Sequence, residues 1–142
     1  MCLPVCDAGV APRDGRVPCA SAGNNPPLLG RAADHLFETL DPTCPLLGVL
    51  PEVTVEVRQT WLGPGDVLVL YTDGIVEAFD DAYAEFGRAR LEHTIRAALT
   101  GQPHAGAEAV REAITAAVSG FSGNATQTDD KTLLIIKRGD SQ

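Results

Sequence analysis

One apolar run that ends in an acidic residue constrains the fold of this chain more than any other feature. Residues 66–71 are Asp-Val-Leu-Val-Leu-Tyr, and Thr72-Asp73-Gly74 follows directly. An apolar run of this length predicts a strand that is buried on both faces. Because such a strand is rigid, it would fix the Asp73 carboxylate, and Gly74 would let the chain turn without crowding the carboxylate oxygens.

A second acidic pair precedes another apolar run near the end of the sequence. Asp129-Asp130-Lys131 leads into residues 132–137, Thr-Leu-Leu-Ile-Ile-Lys, which predict an interior strand. If this strand neighbours the one at 66–71, Asp73 and Asp129 would converge. Carboxylates with open positions for water are typical of a Mg²⁺ or Mn²⁺ site. Taken alone, an Asp-Gly pair such as Asp73-Gly74 after a strand is usually just a turn, and Asp129-Asp130 could equally cap a loop or stay solvated.

Two stretches between these runs have the periodicity of amphipathic helices. Residues 86–100 carry apolar side chains at four-residue spacing, with charged residues beside them, which predicts one helix. A second helix is predicted over residues 105–119, with Gly120 at its end.

Two further strands are predicted from alternation and from turn residues. Residues 53–61 alternate between apolar and polar side chains, and the Gly-Pro-Gly turn after them predicts an antiparallel pair with the strand at 66–71. Residues 16–22 follow an Asp-Gly turn, and Pro18 predicts an edge position because proline has no N–H to donate. Strands, two helices and a final strand in this order fit a layered α/β or α+β domain.

The composition limits the partners and the compartment. Eleven lysine and arginine residues against 19 aspartate and glutamate residues give a net charge of −8. This balance disfavours a nucleic-acid partner, because phosphates attract basic side chains. No stretch approaches the roughly 20 apolar residues that span a bilayer, and the first residues lack the pattern of a signal peptide. We therefore expect a cytoplasmic protein with no membrane partner, whose four cysteines stay reduced.

Four blocks of the sequence, in order, resemble the motifs of one enzyme family. They are Ser-Ala-Gly-Asn-Asn-Pro-Pro-Leu-Leu at 21–29, Leu-Gly-Pro-Gly-Asp-Val-Leu-Val-Leu-Tyr-Thr-Asp-Gly-Ile-Val-Glu-Ala at 62–78, Phe-Gly followed by Arg-Leu within 86–91, and Thr-Asp-Asp-Lys-Thr-Leu-Leu at 128–134. They are similar to N-A-G-H-N-P-P-L-L, L-x-P-G-D-x-L-x-L-Y-T-D-G-x-x-E-A, F-G-x-x-R-L and D-D-x-T-L-L of the SpoIIE-like PPM-type protein serine/threonine phosphatases.

The resemblance covers about residues 12–138 and implies a domain organisation. We expect residues 14–138 to form the C-terminal part of a PPM-type phosphatase domain. An irregular segment at 1–13 would precede it, and a tail at 139–142 would follow. The implied fold is α+β, a partial αββα sandwich of two antiparallel sheets flanked by helices.

The resemblance also implies a chemistry and a set of site residues. In the family, two Mn²⁺ or Mg²⁺ ions activate a water that attacks phosphoserine or phosphothreonine. Carried onto this sequence, Asp73 and Asp129 are the implied metal ligands, Asp130 is their neighbour, and Gly74 permits the close turn. Glu77 matches a family position, with either a regulatory or substrate role or a local helix-capping one. The implied partner is a phosphorylated regulatory protein such as an anti-anti-sigma factor.

The sequence departs from the family pattern at two points. The first metal motif of the family, G-D-V-x-G-H-G, has no match, and Asp7-Ala8-Gly9 and Asp14-Gly15 are the only candidates for it. Asn24 stands where the family has histidine, and asparagine can hydrogen-bond there but cannot hold a proton as imidazole does. Two functions follow as expectations: a truncated metal-dependent phosphatase, or a catalytically inactive remnant that acts as a protein-interaction module.

Overall fold

The chain folds into two antiparallel sheets and a layer of helices, which confirms the α+β prediction. The computed structural model describes residues 5–11, 13–23, 25–126 and 129–139. The strands are β1 (Val5–Ala8), β2 (Arg16–Ala22), β3 (Leu28–Gly30), β4 (Phe37–Thr39), β5 (Arg58–Trp61), β6 (Val67–Tyr71) and β7 (Leu133–Lys137). The helices are α1 (Asp73–Val76), α2 (Gly87–Gly101) and α3 (Ala107–Ser122). The sequence predicted no regular element within residues 1–13, but the structure has the strand β1 there.

The two sheets pack face to face, and the helices cover the second sheet. The first sheet has the order β1-β2-β5 and the second has the order β4-β3-β6-β7. One apolar cluster, which includes Leu29 and Leu68, lies between the sheets. Another joins Val67 and Val69 to the long helices. Successive side chains of a strand point to opposite faces, so β6 contributes to both clusters, which explains why its sequence is apolar throughout.

Both long helices lie where the periodicity predicted them, but the second is longer than expected. α3 passes through Gly120 and ends at Ser122, with Gly123 after it at φ +54°. A glycine inside a helix weakens it by about 1 kcal/mol but does not stop it, so the end predicted at Gly120 was wrong. Among the described residues, no helix is long and apolar enough to cross a bilayer. The apolar stripes of the helices are buried as predicted: Leu91, Ile95 and Leu99 in α2, and Val110, Ile114 and Val118 in α3.

The predicted antiparallel pair of residues 53–61 with the strand at 66–71 was wrong. Only residues 58–61 form a strand, and this strand, β5, pairs with β2 in the first sheet. The turn after β5 carries the chain to the second sheet. In this turn Leu62 is buried between the sheets, and its N–H donates to the Gly15 carbonyl at 2.7 Å. Period-two alternation shows which face of a strand is apolar, but it does not identify the partner strand.

Two predictions about sheet position were also wrong. β2 is the central strand of the first sheet although it contains Pro18. The Pro18 carbonyl accepts a hydrogen bond from Gly9 N–H at 3.2 Å, just beyond the end of β1. Gly9 lies opposite Pro18, so the bond that the missing N–H would have made falls just beyond the end of β1, and the ladder of β2 with β5 does not use it. In the described part of the chain, β7 is an edge strand rather than an interior one, and its Leu134 is 53% exposed.

A charged network links the turn before β6 to the neighbouring strands. Asp66 is 6% exposed, and its carboxylate accepts hydrogen bonds from the Arg31 guanidinium at 2.8 Å and from Gly63 N–H at 2.9 Å. Arg31 also donates to the Glu38 carboxylate at 2.7 Å and to the Trp61 carbonyl at 2.6 Å. The hydrogen bonds and charges of Glu38, which has the largest effect, and of Asp66 raise the pKa of Arg31 above its ordinary value. Arg31 therefore joins the second sheet to β5 of the first sheet, and Asp66 has the structural role of holding Arg31 in place.

Candidate metal centre

The pairing of β6 with β7 brings the two predicted acidic segments to the same end of the second sheet. The last pair of this antiparallel ladder is Tyr71 opposite Leu133. Beyond it, Thr72 N–H donates to the Thr132 carbonyl at 3.1 Å, and Thr132 N–H donates to the Thr72 hydroxyl at 2.9 Å. The same hydroxyl donates to the Asp130 carbonyl at 2.9 Å. The condition set from the sequence, that the two strands are neighbours, is met.

Gly74 lies against the backbone of the second acidic segment. A Cβ added to Gly74 would lie 2.3 Å from the Asp130 carbonyl oxygen and 3.2 Å from that of Asp129. Gly74 is not among the glycines with positive φ, and it lies inside α1. Glycine is therefore needed at this position for the close approach of two backbones, rather than for the tight turn that the sequence suggested.

The Asp73 carboxylate is half-buried and held by a side chain from another part of the chain. Its Oδ1 accepts a hydrogen bond from the Asn25 side-chain amide. The Asp73 carbonyl accepts Glu77 N–H at 2.8 Å, which closes the short helix α1. Residues 21–29 predict only a turn followed by an extended segment, so Asn25 was not identified as a site residue. The register of β3 with β6, which the sequence does not reveal, is what brings it there.

Asp129 and Asp130 are exposed and differ in what they contribute. The Asp129 carboxylate accepts Asp130 N–H at 2.8 Å, which fixes the local turn. Asp129 also lines a cavity of about 20 Å³ together with Gly74, Glu77 and Lys131. This volume holds about one water molecule. Asp130 contacts the segment at residues 72–74 through its backbone carbonyl, so its part in the site is to fix the distance between the segments.

The chemistry of these donors fits a hard divalent cation in part. The oxygen atoms of Asp73 and Asp129 are the ligand type that Mg²⁺ and Mn²⁺ prefer, and Mg²⁺ is often held by only one or two carboxylates with several waters. In the residues that the structure describes, no group of three or more His, Cys, Asp or Glu side chains is arranged to hold a metal ion. The carboxylates present would therefore supply only part of a two-ion site.

The other residues singled out from the sequence lie elsewhere or outside the described residues. Glu77 is exposed beside the cavity, and its N–H caps α1. Asp14-Gly15 forms the turn between β1 and β2, and the Asp14 carbonyl accepts a hydrogen bond from Arg138 at 3.1 Å. Arg138 follows β7 and Asp129 precedes it, so Asp14 lies at the opposite end of this strand. Asn24 and Thr128 lie outside the described residues, as does the side chain of Asp7.

Comparison with known proteins gives a family match over nearly the whole sequence. The family described as Stage II sporulation protein E (SpoIIE) matches residues 2–139. Protein IcfG of Synechocystis sp. is 26% identical over 125 residues, which is 88% of this chain and 19% of IcfG.

Solved structures share the fold at low sequence identity. The SiaA-PP2C domain of Pseudomonas aeruginosa has a TM-score of 0.70 at 22% identity, covering 88% of this chain and 47% of that one. The RsbU and RsbW domains of Rv1364c from Mycobacterium tuberculosis give 0.69 at 23%, covering 98% and 37%. The phosphatase domain of SpoIIE from Bacillus subtilis gives 0.69 at 16%, covering 100% and 60%. The chain thus spans less than two thirds of each of these proteins.

Proposed function

Since this chain belongs to the SpoIIE family and has the fold of PP2C-type phosphatase domains, we propose that it takes part in metal-dependent hydrolysis of phosphoserine or phosphothreonine. The observation that carries the proposal is the meeting of Asp73 with the Asp129-Asp130 segment at one end of β6 and β7. The Thr72 hydroxyl bridges the two segments by its hydrogen bonds to Asp130 and Thr132.

In this proposal Asp73 and Asp129 hold a Mn²⁺ or Mg²⁺ ion. Such an ion lowers the pKa of a coordinated water and stabilises negative charge on a phosphoryl group. The protein's own contribution is to hold the two carboxylates on a rigid sheet end, so that little reorganisation is needed on binding. Asp130 and Gly74 act through the backbone, since their contact sets how closely the two segments approach.

The proposed substrate is a phosphorylated regulatory protein such as an anti-anti-sigma factor. The support for this partner is the family resemblance, and the acidic charge of −8 is consistent with a protein partner rather than with nucleic acid.

A second candidate is a non-catalytic module that binds a protein partner. It is favoured by the lack of any G-D-V-x-G-H-G segment in the 142 residues and by the lack, among the described residues, of a third acidic ligand beside the pair. The exposed apolar side chains Val57 and Trp61, 64% and 55% exposed, would suit such a contact.

Hydrolysis of p-nitrophenyl phosphate and of a phosphoserine peptide, with and without Mn²⁺, tests the proposal. We expect hydrolysis that needs Mn²⁺ and is lost in Asp73→Asn. The matched control is Asp41→Asn, an exposed carboxylate in the loop after β4, which should keep the wild-type rate. A rate equal to that of the metal-free blank, from a folded chain, would reject the catalytic proposal and leave the binding module.

A further inference from the structure

We propose that Asn25 is a positioning residue for the metal ligand Asp73, and this inference rests on the proposed function. The Asn25 side-chain amide donates a hydrogen bond to Asp73 Oδ1. The two residues are 48 positions apart in sequence, so the contact depends on the fold rather than on a local turn.

The connection between β2 and β3 and the register of β3 with β6 place Asn25 next to Asp73. β2 ends at Ala22 in the first sheet and β3 begins at Leu28 in the second, so the chain crosses between the sheets near Asn25. In the β3–β6 ladder Leu28 lies opposite Val69, and extending this register by three residues places Asn25 opposite Thr72, next to Asp73. Pro26 and Pro27 fix φ in the intervening segment, which limits how far the amide can move away from the carboxylate.

The chemistry of the contact suits a metal ligand. An ionised carboxylate only accepts hydrogen bonds, so the nitrogen of the Asn25 amide must face Asp73. A neutral amide holds the carboxylate in one orientation without placing a positive charge beside the site. A lysine or arginine in the same position would repel the cation that Asp73 is proposed to bind. None of the ion pairs formed by the described residues includes Asp73.

The size of the effect follows from how such groups act in metal sites. A side chain that orients a ligand without touching the ion typically changes metal affinity by about 10- to 100-fold when it is removed. We expect this loss for Asn25→Ala. The fold should largely survive, because Asn25 is only half-buried and lies outside both apolar clusters.

The experiment is calorimetric titration of Mn²⁺ into the wild-type chain, Asn25→Ala, Asp73→Asn and the control Gln102→Ala. Gln102 is an exposed amide in the loop after α2. Lys137, at the end of β7 away from Asp129, donates to the neighbouring Pro103 carbonyl at 3.1 Å, so this loop is remote from the site. Gln102→Ala should bind Mn²⁺ as the wild type does, and Asn25→Ala should bind it about 10- to 100-fold more weakly.

A charge-swapped pair of variants tests the contact without relying on Asn25→Ala folding. Asn25→Asp alone brings two carboxylates together, so the metal-free thermal midpoint should fall. Combining it with Asp73→Asn re-forms an amide–carboxylate pair in reverse, so the midpoint should recover. Mn²⁺ affinity should not recover, because the carboxylate is then on the wrong residue. A purely structural role for Asn25 would restore stability and leave Mn²⁺ affinity insensitive to Asn25→Ala.

The outcomes separate this inference from the proposed function. If the wild type and Asp73→Asn differ in Mn²⁺ binding while Asn25→Ala matches the wild type, the positioning role is overturned and the metal site stands. If the swapped pair is no more stable than Asn25→Asp, the contact itself is absent and the inference fails. If the wild type binds no Mn²⁺, the proposed function fails and takes this inference with it.

Discussion

Replacing Gly74 by alanine should separate the two acidic segments of the candidate metal centre. The new Cβ would lie 2.3 Å from the Asp130 carbonyl oxygen, whereas ordinary contacts begin at 3.4 Å. One of the two backbones must therefore move by about 1 Å. The atoms that the new Cβ would meet are backbone atoms, so a change of side-chain rotamer cannot relieve the contact.

Three competing effects determine how Gly74→Ala changes the free energy of unfolding. Alanine is favoured over glycine in a helix by about 1 kcal/mol. Overpacking of this kind costs about 1–3 kcal/mol, and each hydrogen bond lost at the Thr72 hydroxyl costs about 1 kcal/mol. The unfavourable terms exceed the favourable one, so we expect Gly74→Ala to lower the free energy of unfolding by about 1–3 kcal/mol. Because a 1 Å displacement of reacting groups can cost about 100-fold in rate, Mn²⁺-dependent hydrolysis should fall to a similar extent.

For Gly74→Ala, urea denaturation measures the stability, p-nitrophenyl phosphate hydrolysis measures the Mn²⁺-dependent rate, and Mn²⁺ titration shows whether the site still binds the ion. Gly120→Ala is the matched control, because nothing lies within 4 Å of the position of its Cβ and it is inside α3. That variant should gain up to about 1 kcal/mol and keep wild-type Mn²⁺ affinity. If Gly74→Ala were as stable as the control and bound Mn²⁺ normally, the close approach of the two segments would be wrong.

Three further predictions concern the scaffold around the site. Asp66→Asn should lower the free energy of unfolding in urea by about 2–3 kcal/mol, because a buried ionic acceptor of the Arg31 network is lost; an unchanged midpoint would contradict the network. Tyr83 has φ +60° and is 86% exposed, so Tyr83→Asn should raise stability by about 0.5–1 kcal/mol by relieving left-handed strain, and a thermal midpoint below wild type would contradict this. Burial raises the pKa of the Tyr71 hydroxyl. The stability that the protonated hydroxyl contributes is therefore intact below the unfolded-state pKa near 10 and is lost as the pH rises through the folded-state pKa. Tyr71→Phe should therefore lose less stability than wild type as the pH rises above about 10, and equal losses would show that Tyr71 is not the cause.

The local elements near the site could be predicted because each has a strong one-dimensional signal. The apolar run of β6 and the four-residue spacing in α2 depend only on which residues are buried, and burial leaves its period in the sequence. Asp73 and Asp129 stood out for the same reason, since the first lies just after one apolar run and the second just before another. They form a candidate site only because the two strands pair.

The pairing of strands and the contacts of the site could not be predicted with the same reliability. β5 and β6 are joined by a short turn, yet Leu62 is buried between the sheets and the chain changes sheet there. Alternation alone does not distinguish this crossing from a hairpin. The contact of Asn25 with Asp73 follows from the β3–β6 register, and the need for glycine at position 74 follows from the Asp130 backbone. Both depend on long-range geometry that leaves no periodic mark in the sequence.

A double-mutant cycle on Mn²⁺ affinity tests most directly whether Asp73 and Asp129 serve one ion. Dissociation constants are measured for the wild type, Asp73→Asn, Asp129→Asn and the double variant. If the two carboxylates hold the same ion, each single substitution weakens binding and the double variant is little weaker than the worse single one. Losses that multiply independently, or a wild-type dissociation constant in either single variant, would contradict a shared site.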